Sequence, residues 1–142
     1  MVKHVPEQDF TIDTEGKDTW RYAKAGAKTI VVASANEIAT IEKTRGDISP
    51  NKILERCEGN DLVFLEGFKK TVAQDKTILK IVVAVSPQDV EEAIMAYEPI
   101  LVFTGPYAAS NIDKKILYVD VVNDGDIIVD MIEKMIGKKS VT

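Results

Sequence analysis

The residue types best suited to chemistry cluster in two places. Glu66 and Gly67 close the run DLVFLEG, and a carboxylate at the tip of an apolar strand can hold a magnesium-bound water beside a nucleotide. A solvated acid at a strand end is the plainer reading of the same residues. Asp9, Asp13, Lys17 and Asp18 lie in and just after a polar loop. An acid there can ligate magnesium, although acids near a helix start are also favoured by the helix dipole alone. Glu66 and Asp13 could act as an acid/base pair only if their side chains converge in a pocket.

His4, the single histidine, stands beside Lys3 within a short strand and reads as a structural imidazole. Trp20 and Tyr22 read as a core and a surface residue. Asp61 opens the strand that Glu66 closes and reads as a turn residue.

A phosphate loop needs G-x-x-x-x-G-K-S/T, because its turned backbone N–H groups and lysine cradle phosphates while the hydroxyl ligates magnesium. Gly16-Lys17 is followed by Asp18 and preceded at the earlier glycine position by Thr11. Gly137-Lys138 is followed by Lys139 and has Ile132 at that position. Neither pair satisfies the motif, and Gly137 reads as a helix cap.

The elements that must position these residues follow from periodicity. VKHV is a short strand, and Pro6 to Glu15 is a loop. Lys17 to Ala25 is a helix, with Gly26 as its left-handed cap. TIVVAS reads as a buried strand and Asn36 to Lys43 as a further strand. Ser49-Pro50 and Ser86-Pro87 each pair an N-cap with the proline tolerated at the first helical position. They start helices at Pro50 to Cys57 and from Pro87 up to Pro99. DLVFLEG and TILKIVVAV read as strands buried on both faces, separated by a polar stretch from Lys69 to Lys76. PILVFTG and ILYVDVV read as strands, a last amphipathic helix carries Ile127 to Met135, and the tail from Lys138 should fray.

Apolar strands separated by helices predict a three-layer α/β domain with a mainly parallel sheet. Ligands of such sheets bind at the strands' carboxyl ends, here marked by Val5, Ser34, Glu66, Ser86 and Thr104. The 142 residues suffice for one domain. A net charge of −5 argues against a surface for duplex nucleic acid. One cysteine and one histidine exclude a disulfide framework or a Cys/His zinc cluster within one chain, and fit a reducing cytoplasm. No apolar run approaches the roughly 20 residues of a membrane span.

Two ordered blocks carry a resemblance to a known family. The first comprises Lys3, His4, Asp13, Gly16, Lys17, Asp18, Thr19, Ala25, Gly26 and Ala27. The second comprises Asp61, Leu62, Glu66, Gly67, Phe68 and Lys69. Together they resemble the molybdopterin-guanine dinucleotide biosynthesis protein B family, MobB. The resemblance implies a fold of the P-loop NTPase type and a GTP-binding accessory protein in molybdenum-cofactor maturation. It also implies weak GTPase activity, a homodimer, and work on molybdopterin with a MobA-like guanylyltransferase.

On that basis GTP and Mg2+ are the cofactors. Glu66 and Asp13 are the metal-side acids, and Lys3, His4, Asp13, Lys17, Asp18, Gly67, Thr104 and Gly105 are the nucleotide-side residues. The alternative is an interaction subunit that works without nucleotide. The family's opening strand, phosphate loop and first helix have no counterpart in the chain, which opens at the family's second strand. Leaving the neighbours of a buried strand unpaired costs about 1 to 3 kcal/mol per group, enough to rival a whole domain's stability of about 5 to 15 kcal/mol. Three arrangements resolve the conflict: upstream residues precede Met1, another polypeptide or a second copy supplies the strand, or the neighbours close the gap. The first is favoured, because the match opens sharply at Val2.

Overall fold

The computed structural model describes residues 1–7, 9–44, 46 and 49–139. Its strands form three pairs rather than one sheet. β1 (Val2–Lys3) runs parallel to β4 (Leu65–Glu66), and β2 (Thr29–Ala33) is antiparallel to β3 (Ile38–Glu42). β5 (Lys80–Val83) is parallel to β6 (Ile100–Thr104). The α/β class and the parallel pairing of β1, β4, β5 and β6 agree with expectation. A continuous sheet does not form among the described residues, so the three-layer arrangement is local to β5 and β6.

Around β6 the period of two is explicit. Val102 packs on one face with Val119 and with Ile128 of α5 (Gly125–Lys139). Phe103 packs on the other with Ala84 and with Val90 and Ala93 of α4 (Pro87–Ala96). The chain's core sits here. Among the described residues of the first half, only Ile30 and Phe68 are buried apolar residues.

Several predicted elements are corrected. TIVVAS is a strand but not a buried one, since every β2 residue except Ile30 is exposed. Among the described residues, no third strand pairs with the hairpin that β2 makes with β3. DLVFLEG is a strand only at Leu65 and Glu66, with Leu62 and Phe64 open to solvent. β5 is covered on one side, because Ile81 and Val83 are exposed. ILYVDVV contributes a parallel bridge of Tyr118 to Phe103 in place of a strand. Gly137 lies within α5 rather than capping it, and a short helix, α3 (Lys69–Val72), stands where a polar connection was predicted. The predicted fraying tail falls partly on residues 140–142, outside those described.

Local stop and start signals held better. The helix α1 (Asp18–Lys24) ends as predicted at Gly26, whose φ is +100°. The Gly26 and Ala27 N–H groups donate to the Ala23 and Tyr22 carbonyls, the paired bonds of a left-handed C-terminal cap. Ser49 accepts from the Lys52 N–H at the start of α2 (Pro50–Glu55). Ser86 likewise accepts from the Asp89 N–H in α4, while the Asp89 carboxylate accepts from the Ser86 hydroxyl and the Val85 N–H, both at 2.9 Å. This reciprocal cap fixes the chain path from β5 into α4.

The solvent-accessible surface is 11235 Å², against about 7,300 Å² for a compact monomer of this mass. The excess agrees with the uncovered strand pairs.

Candidate functional site

Parallel register sets Lys3 beside Glu66, and the Lys3 Nζ lies 3.1 Å from the Glu66 Oε1. The His4 N–H donates to the Glu66 carbonyl at 2.8 Å, extending the β1–β4 ladder by one step. Gly67 then turns with φ +85°, and a Cβ there would stand 3.0 Å from the His4 carbonyl oxygen. A side chain at 67 would therefore press on the ladder that aligns Lys3 with Glu66. The His4 ring packs at 5.2 Å and 50° against Phe68, which is buried at the start of α3. Lys3, His4, Glu66 and Gly67 thus form one strand-tip unit, joined across the two sequence blocks by the parallel register of β1 and β4.

The Lys3–Glu66 pair is at least half exposed on both sides, so it contributes no more than about 1 kcal/mol to stability. Its chemistry is an ammonium and a carboxylate side by side at the carboxyl ends of two parallel strands. Magnesium commonly binds through one or two carboxylates, with phosphates and waters completing its octahedron. Glu66 can serve as one such carboxylate. Among the described residues no group of three His, Cys, Asp or Glu side chains converges as a metal cage. Magnesium at this tip would draw its remaining ligands from phosphates and water, and neither Gly-Lys pair of the sequence meets the phosphate-loop motif.

Asp13 has a different occupation. Its Oδ1 accepts from the Thr14 N–H at 2.9 Å and from the Thr19 hydroxyl at 2.7 Å, which ties the loop to α1. It lines a cleft to which Glu66 does not contribute, so the two carboxylates do not meet as an acid/base pair in that cleft. Lys17 is the N-cap residue of α1 without a capping side chain, and its N–H donates to the Thr14 carbonyl. Asp18 sits in the first turn, 3.6 Å from Arg21, where the helix dipole alone favours an acid.

Thr104 and Gly105 belong to the β5–β6 unit and share no hydrogen bond or ion pair with the strand tip among the described residues. Thr104 is buried, and its hydroxyl accepts from the Val121 N–H at 3.3 Å. Gly105 has φ +108°, and a Cβ on it would stand 2.6 Å from the Ala84 carbonyl oxygen. Its own carbonyl accepts from the Tyr118 hydroxyl at 2.7 Å. Both residues are engaged in holding β6 against β5.

The sequence reading missed the cleft beside α1. Its walls include Asp9, Phe10 and Asp13 from the loop, Trp20 and Lys24 from the helix, and Lys43 from the end of the hairpin, around about 360 Å³. Trp20 is half-buried as a wall of this cleft rather than a core residue, whereas Tyr22 is exposed as expected. Trp20 and Lys24 at helical spacing were a visible signal. Lys43 arrives only because the hairpin folds back, its N–H donating to the Lys28 carbonyl.

An α/β chain with parallel strand pairs and a lysine–glutamate strand tip followed by a turned glycine defines the class. The family model described as molybdopterin guanine dinucleotide synthesis protein B matches residues 1–99, and the chain belongs to that family. Both sequence blocks fall within the match, whereas Thr104 and Gly105 lie beyond it. A molybdopterin-guanine dinucleotide biosynthesis adapter protein from Haemophilus influenzae is 31% identical over 72 residues, covering 49% of this chain and 40% of that protein. The chain therefore aligns with well under half of that relative's length. No solved structure matches it significantly.

Proposed function

We propose that the protein is a cytoplasmic adapter in molybdopterin guanine dinucleotide biosynthesis. It binds GTP and Mg2+ with a phosphate loop supplied from outside these 142 residues, completing a P-loop NTPase-type domain. The observation that carries this reading is the strand tip, where Lys3, Glu66 and the Gly67 turn lie together inside the region matched by the family. Glu66 then serves the magnesium side, Lys3 faces the phosphates, and Asp13 keeps the α1 loop in place. The partners are a MobA-like guanylyltransferase, molybdopterin and a second copy of the chain. Calorimetry with GTP and Mg2+ tests it, comparing the 142-residue chain with a version extended upstream. Saturable binding by the extended protein is expected, and failure of that protein to bind overturns the nucleotide reading.

A second reading, an interaction subunit that works without nucleotide, draws support from the uncovered apolar residues Val31, Val83 and Val85. It calls for a stable complex between the 142-residue chain and the guanylyltransferase in the absence of GTP. Size-exclusion chromatography of the mixture decides it, separate elution refuting this reading.

A further inference from the structure

The connection that leaves β6 does not match the one that enters it. α4 joins β5 to β6 and covers one face of the pair. In the next connection, from Thr104 to the parallel bridge at Tyr118, the helical content is a 3-10 turn at Ala109–Asn111. Crossovers between parallel strands are right-handed and usually helical, so one that continues in the same direction lays its covering segment beside α4. Tyr107 and Ala109 do lie there, packed with Ala84, Val90 and Phe103. The Tyr107 N–H donates to the Ala84 carbonyl, which keeps this cover at the carboxyl end of β5.

The opposite end of the same face is left as a groove. Ile94 and Tyr97, one turn apart on α4, form one wall, Ile116 and Leu117 form the other, and β6 is the floor, around about 320 Å³. Ile94 and Leu117 are each about half exposed, and Met95 beside Ile94 is 78% exposed. Lys115 adds an ammonium to the second wall. Among the described residues it forms no ion pair.

Shape and charge together select the occupant. A groove between a helix and a strand, in the place of a crossover helix, takes the apolar face of a short helix through residues at i, i+3 and i+4. An unpaired ammonium on one wall is matched by a carboxylate on that helix's flank.

We infer that this groove docks an acidic amphipathic helix of a partner protein, laid beside α4 with its apolar residues between Ile94 and Leu117 and a carboxylate on Lys115. The inference goes beyond the adapter reading and requires neither nucleotide nor Glu66.

The probe is a fluorescein-labelled peptide of about fifteen residues, long enough to sustain a helix in water. Its leucines stand at i, i+3, i+4 and i+7, and its flanks carry glutamates. Titration with the 142-residue chain should give saturable fluorescence anisotropy, whereas a peptide of the same composition in scrambled order should not bind. Ile94→Asp, a change at an exposed position checked by far-ultraviolet circular dichroism, should weaken binding at least about tenfold. Lys115→Glu should weaken it about fivefold, and a peptide with lysines in place of the glutamates should recover that loss. Absence of saturation, equal binding of the scrambled peptide, or an affinity that both substitutions leave unchanged overturns the inference. Sedimentation of the chain alone supplies a further refutation: a dimer that Ile94→Asp abolishes assigns the groove to a second copy.

Discussion

Replacing Gly105 by alanine separates a packing glycine from a ligand-facing one. At φ +108° an alanine costs about 1 to 2 kcal/mol from its left-handed backbone alone. Its Cβ would also stand 2.6 Å from the Ala84 carbonyl oxygen, 3.0 Å from the Val83 Cγ1 and 3.1 Å from the Ala84 N. Two of these neighbours are backbone and cannot rotate away. Moving them disturbs the Ala84 N–H bond to the Thr104 carbonyl at 2.8 Å and the Tyr118 hydroxyl bond to the Gly105 carbonyl. Such overpacking adds about 1 to 3 kcal/mol.

Gly26→Ala provides the reference. Its φ is +100°, and a Cβ there meets nothing within 4 Å, so it carries the backbone cost without the clash. The reduced freedom of the unfolded chain is common to both substitutions and cancels in the comparison. Urea unfolding followed by far-ultraviolet circular dichroism should therefore show Gly105→Ala to be less stable than Gly26→Ala by about 1 to 3 kcal/mol. A difference below about 0.5 kcal/mol would refute the close-approach argument. A ligand-facing glycine would instead leave stability at the Gly26→Ala level and lower affinity.

Lys80 is buried, and its ammonium donates to the Asp75 and Glu98 carbonyls, joining the connections that flank β5 and α4. Lys80→Met should destabilise by about 1 to 3 kcal/mol in the same urea assay, and an unchanged midpoint would contradict this role. Asp89 is held below the usual carboxylate range, chiefly by the Val85 N–H and next by the Ser86 hydroxyl. The folded state therefore favours the ionised form, and the associated stability, present above about pH 4, is lost as pH falls through the lowered value. Asp89→Asn should flatten the acid side of a Tm-against-pH curve, and an equally steep fall would count against it. Glu66→Gln should change stability by less than about 1 kcal/mol, because the ion pair it breaks is exposed. In the upstream-extended protein it should nonetheless weaken Mg2+-dependent GTP binding, and unaltered calorimetry there would remove Glu66 from the magnesium side.

Local chemistry in the sequence determined the features that depend on a few consecutive residues. Ser49-Pro50 and Ser86-Pro87 set helix starts because a hydroxyl and a prolyl ring act within one turn. Gly26 set a helix end because positive φ suits glycine. Glu66 was legible as a strand end, but its place beside Lys3 follows from the parallel alignment of β1 with β4, which neither segment encodes. Burial was not legible. TIVVAS and DLVFLEG are apolar enough to be interior strands, yet burial depends on what covers a strand, which its own residues do not encode. Gly137 has the composition of a cap and lies inside α5, whose chain continues in helical geometry past it. Only the tertiary structure could decide that Thr104 and Gly105 hold β6 against β5, since that follows from a contact with Ala84 more than twenty positions away along the chain. The same is true of the α1 cleft, where Lys43 meets Trp20 and Asp9 because a hairpin reverses the chain, and long-range reversal leaves no mark on any one segment.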